Sequence, residues 1–271
     1  MTFSTWYSIG NSAIHRWHPA TKLLFTIVMW LTAFIIQQPV LNALQFLILL
    51  SLIILAEVPY AKVIGFTKVT SPIIIAYFLL WPFLFGEGPV LLSAILPGTK
   101  FVISVYEFGL VWGAIAAFRL ATVFYSTFML LATTSDSQVI QGLVSMKFPY
   151  IVAFVLMITT RFLVTLMSDM SSIQEARRAR GLSQRVGLGG FIRNLSSILI
   201  PLVMVSMRRV QILSDAIEVR AFETGRNRTS LNYVGLGLMQ KLSILGILLF
   251  FVLVIYLRFG VGVIVIFPNR I

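Results

Sequence analysis

The chain has 271 residues, of which 58% are hydrophobic and 11% charged, with a mean hydropathy of +0.95. Soluble domains carry about 45–50% apolar and roughly 25% charged residues, so water-soluble folding, disorder and fibrous repeats are excluded, and the length has room for about five to eight membrane helices. Cysteine is absent, which excludes disulfides and thiolate metal sites; Lys and Arg outnumber Asp and Glu by 21 to 9, a surplus that in so apolar a chain reports first on topology.

The opening Met1-Thr2-Phe3-Ser4-Thr5-Trp6 lacks a charged n-region, an apolar stretch and a small-residue cleavage site, so it does not read as a cleaved signal peptide. His15 and His18 could share a helix face at i, i+3, but no carboxylate or thiolate completes a metal site, and a membrane-entry turn is the simpler reading. Apolar runs at 23–36, 40–56, 69–85, 108–132 and 242–267 predict five spans, the first of them short. Arg16 and Lys22 precede the first, Gln37-Gln38-Pro39 after it is uncharged, Lys62 and Lys68 follow the second, and Glu87 and Glu107 outweigh Lys100 after the third. Basic loops stay cytoplasmic, so this alternation places the amino terminus inside and returns the chain there near Thr133. Arg119, within the fourth span, is a deeply placed charge: a structural donor inside the bundle, or a substrate or partner contact. Gly109-x-x-x-Gly113, followed by Ala114, Ala116 and Ala117, offers a flat strip for close helix approach.

Two further apolar runs, 150–168 and 191–207, would pass a hydropathy window. If both crossed, Glu175-Ala176-Arg177-Arg178-Ala179-Arg180-Gly181-Leu182-Ser183-Gln184-Arg185 would lie outside, with its arginines on the wrong face. Arg161 and Arg193 would also sit in lipid. The preferred reading keeps both runs cytoplasmic as long amphipathic helices. One runs from Pro149 to Arg180 and stops at Gly181. The other runs from about Pro201 to Phe222 with Val203, Val210, Leu213 and Ile217 on one stripe, ended by Gly225. Ten of the 21 basic residues lie between Arg177 and Arg228. The organisation is thus an all-α integral membrane protein: four spans over 1–134, a basic cytoplasmic or interfacial helical domain over 135–240, and a last span over 241–271.

Catalytic motifs are missing. Gly235-Leu236-Gly237-Leu238-Met239-Gln240-Lys241 lacks the glycine before lysine that a phosphate loop needs, so the chain should neither bind nor hydrolyse ATP. No paired carboxylates or Ser/His/Asp set suggests hydrolysis, and no cofactor or metal is expected in this chain. The arginine-bearing helix ends are sharper. Ala176-Arg177-Arg178-Ala179-Arg180-Gly181 ends one cytoplasmic helix, and Asp215-Ala216-Ile217-Glu218-Val219-Arg220-Ala221-Phe222 ends the other. A guanidinium beside small residues can enter a partner's groove and donate several hydrogen bonds; the bland alternative is dipole compensation near lipid.

On these residues the chain resembles the T component of energy-coupling factor (ECF) transporters, the transmembrane coupling subunit also found in cobalt and nickel uptake systems. That family carries Ala-Arg-Gly at the ends of two coupling helices. Ala179-Arg180-Gly181 matches fully; Val219-Arg220-Ala221 keeps the arginine within an Ala216-x-Glu218-x-Arg220-x-Phe222 frame. Ile14-His15-Arg16 and Pro19-x-Thr21-Lys22-Leu23-Leu24 resemble the family's opening, with Ala20 where arginine is usual. Thr133-Thr134-Ser135 resembles its turn into the first coupling helix, and Arg161-Phe162-Leu163 its Arg-Phe-aliphatic step, with Val164 for proline. The resemblance implies crossing coupling helices, a plasma-membrane location, and two ATP-binding-cassette subunits that bind ATP and magnesium themselves. It also implies a membrane S component that binds a vitamin or metal ion. Ala179, Arg180, Gly181, Val219, Arg220 and Ala221 would meet the ATPases, and nucleic acid has no place. The competing class, a self-contained secondary transporter or channel with Arg119 and Arg161 lining a pathway, predicts internal repeats and paired intramembrane charges; the sequence has neither.

Overall fold

The computed structural model of the chain describes residues 7–8, 10, 12–84, 90–95, 102–146, 148–181, 188–220 and 237–259. Along it run α1 (Pro19–Ile35), α2 (Pro39–Leu55), α3 (Tyr60–Leu84), β1 (Val90–Ile95), β2 (Val102–Tyr106), α4 (Glu107–Thr133), α5 (Asp136–Ser145), α6 (Tyr150–Ala179), α7 (Leu188–Val219) and α8 (Leu238–Phe259). The chain divides into two compact units, Met1–Met146 with Val234–Ile271, and Lys147–Tyr233. Helix dominates, as expected of an all-α membrane protein. One departure is the antiparallel β1–β2 hairpin, read from sequence as a loop, with Val90 opposite Tyr106 and Ile95 opposite Val102.

By length and hydropathy α3, α4, α6, α7 and α8 can each cross a membrane. At 17 residues each, α1 and α2 sit at the lower end of the ~17–25 that span a bilayer. Proline opens both, where its missing N–H costs nothing. α3 starts at Tyr60 rather than at residue 69, because its first turns are helical but carry Lys62 and Lys68, which a hydropathy reading discounts.

In the first unit α4 is the central helix, packed by α1, α2 and α3. Ile115 and Phe128 of α4 and Leu49 of α2 are fully buried in that packing. Phe66 stacks on Phe128 at 4.5 Å, and Tyr125 stands edge-on to Phe46 and Phe66 with its hydroxyl 2.8 Å from that of Thr67. The Gly109/Gly113 strip lies against α3: a Cβ on Gly109 would fall 2.6 Å from the Pro82 Cα, and one on Gly113 2.9 Å from the Phe78 carbonyl oxygen. Only glycine permits that approach. Polar groups between α1 and α2 are paired in part, through their N–H donors, while Asn42 Oδ1 and Gln45 Oε1 are buried without a partner among the described residues. Gln45 Nε2 donates to Thr32 Oγ1 (2.7 Å), and Asn42 Nδ2 to the Ile36 carbonyl (3.0 Å).

The second unit is α6 and α7. Asp169 and Arg209 pair at 2.8 Å, and Arg177 Nη2 donates to Asn194 Oδ1 at 3.2 Å. Two expectations need correction. α7 begins at Leu188, not near Pro201, so the apolar run 191–207 and the second amphipathic helix are one 32-residue helix. Pro201 removes one backbone hydrogen bond without ending it. Its part-covered stripe is Leu202, Ser206, Arg209, Leu213 and Ile217, whereas Val203 and Val210 are exposed. The inner face is turned by one residue because it includes Ser206 and Arg209, which an apolar pattern passes over. The expected stop at Gly225 lies outside the described residues.

Candidate functional site

Two exposed arginines mark the ends of the long helices in the second unit. α6 ends at Ala179, and Arg180 is its C-cap, with its N–H donating to the Ala176 carbonyl at 3.2 Å. Gly181 follows at φ +72°, the left-handed conformation that stops a helix, and its N–H donates to the Arg178 carbonyl. Ala179, Arg180 and Gly181 are all exposed. α7 ends at Val219, 87% exposed. Arg220 comes next, its N–H donating to the Ala216 carbonyl at 3.3 Å, and it is exposed as well. Ala221 lies outside the described residues. Neither Arg180 nor Arg220 makes a side-chain hydrogen bond or ion pair among the described residues. Both sit at a helix carbonyl end, which favours a cation, and both keep their planar fork of donors for an outside acceptor.

Arg119 is used differently. Its Nε donates to the Ala33 carbonyl at 3.0 Å, an Nη reaches the carbonyls of Phe34 and Ile36 at 3.4 and 3.5 Å, and the guanidinium lies 5.2 Å from the Phe34 ring centroid. It therefore holds the end of α1 against α4. Arg161, the other charge invoked for a pathway, is exposed on α6.

The opening motif and the turn after α4 meet at one junction. Lys22, 4% exposed, donates through Nζ to the Thr133 carbonyl (2.7 Å) and the His15 carbonyl (3.1 Å). With Trp17, Phe25, Thr26, Met129, Leu130 and Thr133 it lines a small cavity. His15 Nε2–H donates to the Ser8 carbonyl at 3.1 Å and Nδ1 lies 2.7 Å from Ser12 Oγ. Burial pushes the imidazole below its ordinary 6.5, and Lys22 adds to that, against the Ser8 carbonyl and Glu57. His18 caps α1, with Nδ1 accepting from the Ala20 N–H, so the two histidines do not share a helix face. Directly after Thr133, Ser135 and Gln138 form a capping box that starts α5. Gly142 lets α5 approach α1, since a Cβ there would meet Leu23 Cδ1 at 2.9 Å. Neither α5 nor the lysine bridge is evident from these motifs taken one at a time. The signal available was a lysine at the edge of an apolar helix followed, far along the chain, by Thr133-Thr134-Ser135.

The profile of the CbiQ family, cobalt transport protein, matches residues 10–231. The chain is also similar to the energy-coupling factor transporter transmembrane protein EcfT of several bacteria. Identity to that of Bacillus selenitireducens is 29% over 268 residues, covering 94% of this chain and 97% of the relative. For Streptococcus equi it is 32% over 260 residues, covering 90% and 94%. For Bacillus subtilis it is 28% over 259 residues, covering 90% and 96%.

Proposed function

The chain belongs to the CbiQ family of cobalt transport proteins, and from that premise we propose that it is the transmembrane coupling subunit of an ECF importer. It carries ATP-driven motion from two ATPase subunits to a substrate-binding S component. The observation that carries the reading is the matched placement of Arg180 and Arg220, each the first residue beyond a long helix, exposed, and with its guanidinium unengaged. Each enters a groove on one ATPase subunit, with Ala179 and Gly181, or Val219 and Ala221, permitting close approach. The ATPases hold ATP and magnesium; this chain binds neither. A vitamin or metal ion is held by the S component, and this chain transmits force to it.

Residues 135–240 and the amino terminus lie on the cytoplasmic side of the plasma membrane, with α6 and α7 at the interface rather than across it. Support comes from Arg177, Arg178 and Arg180 at the end of α6, and from Arg161 and Arg193, exposed along helices where lipid would penalise a charge.

Losing a charge-assisted contact costs roughly 1.5–3 kcal/mol, which weakens one docking site about tenfold or more. Two docking sites act together, so Arg180→Glu with Arg220→Glu should abolish co-purification of the ATPases and uptake, far beyond either change alone, at matched membrane levels. Arg180→Lys should be a poor replacement, because lysine lacks the fork. Retention of the ATPases and full uptake by the double variant would end the assignment.

A further inference from the structure

Arg119 of α4 and Arg258 of α8 converge on the last carbonyls of α1. Arg119 takes those of Ala33, Phe34 and Ile36, and an Nη of Arg258 takes that of Ile35. A helix carbonyl end carries roughly half a negative charge, which cannot balance two full positive ones that also feel each other. Among the described residues neither arginine pairs with a carboxylate. Of the acids in this unit, Glu57 lies in the turn after α2 and Asp136 opens α5, both at the end where α1 begins; Glu87 lies outside the described residues. Glu107 opens α4, about 18 Å along the axis from Arg119 at 1.5 Å per residue. Both arginines are part-buried as residues, and the carbonyls use only part of their donors.

Arg258 stands in the last turn of α8, and α8 finishes beside the end of α1, with Val254 packed on Ile36. A helix of 22 residues is about the length of a bilayer core, so Arg258 reaches headgroup level on the face where α1 and α8 end, and Arg119 meets the same run of carbonyls from the middle of α4. Its surroundings are apolar and open. The Phe34 ring lies under Arg119 and the Phe259 ring under Arg258, at 5.2 and 5.6 Å. These rings are 58% and 79% exposed, and Leu31 and Tyr256 beside them are exposed too.

We propose that Arg119 and Arg258 form a binding site for the phosphate of an anionic phospholipid. The two forks take the phosphate oxygens, and the acyl chains lie along Phe34, Phe259 and Leu31. Those exposed apolar surfaces favour a lipid over a free phosphate ion. The neutralised pair then fixes the end of α1 between α4 and α8.

The test is native mass spectrometry and thermal unfolding of the detergent-purified full chain, titrated with phosphatidylglycerol, phosphatidylcholine or inorganic phosphate. Wild type should retain phosphatidylglycerol through delipidation and gain several degrees in unfolding temperature, with phosphatidylcholine giving little. Arg119→Gln with Arg258→Gln should lose retention about tenfold, while Arg161→Gln on α6 behaves as wild type. If the double variant does not fold, Arg258→Gln alone, which leaves Arg119 on α1, carries the same comparison with a several-fold loss. Equal retention in the folded variant, or equal binding of the two lipids, would overturn the site. Full displacement of lipid by millimolar inorganic phosphate would overturn the lipid as its ligand.

Discussion

Lys22 ties distant parts of the first unit together, because one ammonium joins the chain before α1 to the end of α4. Lys22→Met keeps the stem's packing but strands the buried Thr133 carbonyl, at a cost of about 1–3 kcal/mol, and the part-buried His15 carbonyl beside it. The purified variant should therefore unfold several degrees below wild type. His15 adds a pH dependence at the same junction. Its folded-state pKa is lowered, chiefly by burial, so the unfolded chain binds the proton more readily. Stability is complete above the ordinary value of 6.5 and declines as pH falls through that value toward the lower folded one. His15→Gln should flatten this part of the profile; thermal unfolding between about pH 5 and 8 checks both the slope and its loss.

At the scale of helices, close approach is decided by missing atoms. Adding a methyl group at Gly109 or Gly113 drives it into α3 backbone, and overpacking of this kind costs about 1–3 kcal/mol. Gly246 of α8 meets nothing within 4 Å, so Gly246→Ala should be neutral or stabilising by up to ~1 kcal/mol through helix propensity. Unfolding midpoints of the three alanine variants should separate into these two classes. In the second unit, the Asp169–Arg209 pair is partly exposed, 22% and 32%, and such pairs are worth at most about 1 kcal/mol. Its value is positional. Asp169→Arg and Arg209→Asp should each lower uptake at matched expression, and the exchanged pair should recover most of the loss.

For the molecule as a whole, the proposed sidedness is the decisive property, because the exposed arginines at the ends of α6 and α7 can meet ATPases only from the cytoplasm. Ser183→Cys, a unique thiol in a cysteine-free chain, should react with a membrane-impermeant maleimide only in inside-out vesicles or after permeabilisation. Labelling of intact cells would place the α6–α7 connection outside and remove the coupling assignment.

The membrane class, the helical content, the seven apolar runs that fall on α1–α4 and α6–α8 and the stop at Gly181 were legible in the residues alone. Each follows from local physics: hydropathy against bilayer thickness, and the left-handed turn that glycine tolerates. Arg119 was legible as a structural donor in general terms, but not its acceptors, which lie on a helix far away in sequence. Tertiary structure alone decided that Lys22 bridges to Thr133 and that α5 packs on α1. It also decided that α7 runs through Pro201 with Ser206 and Arg209 on its covered face, and that Arg119 and Arg258 share the end of α1. A periodic pattern records which residues avoid water. It does not record which carbonyl a buried cation will find once distant helices are brought together, and that pairing shapes both the junction at Lys22 and the arginine pair at the opposite end of α1.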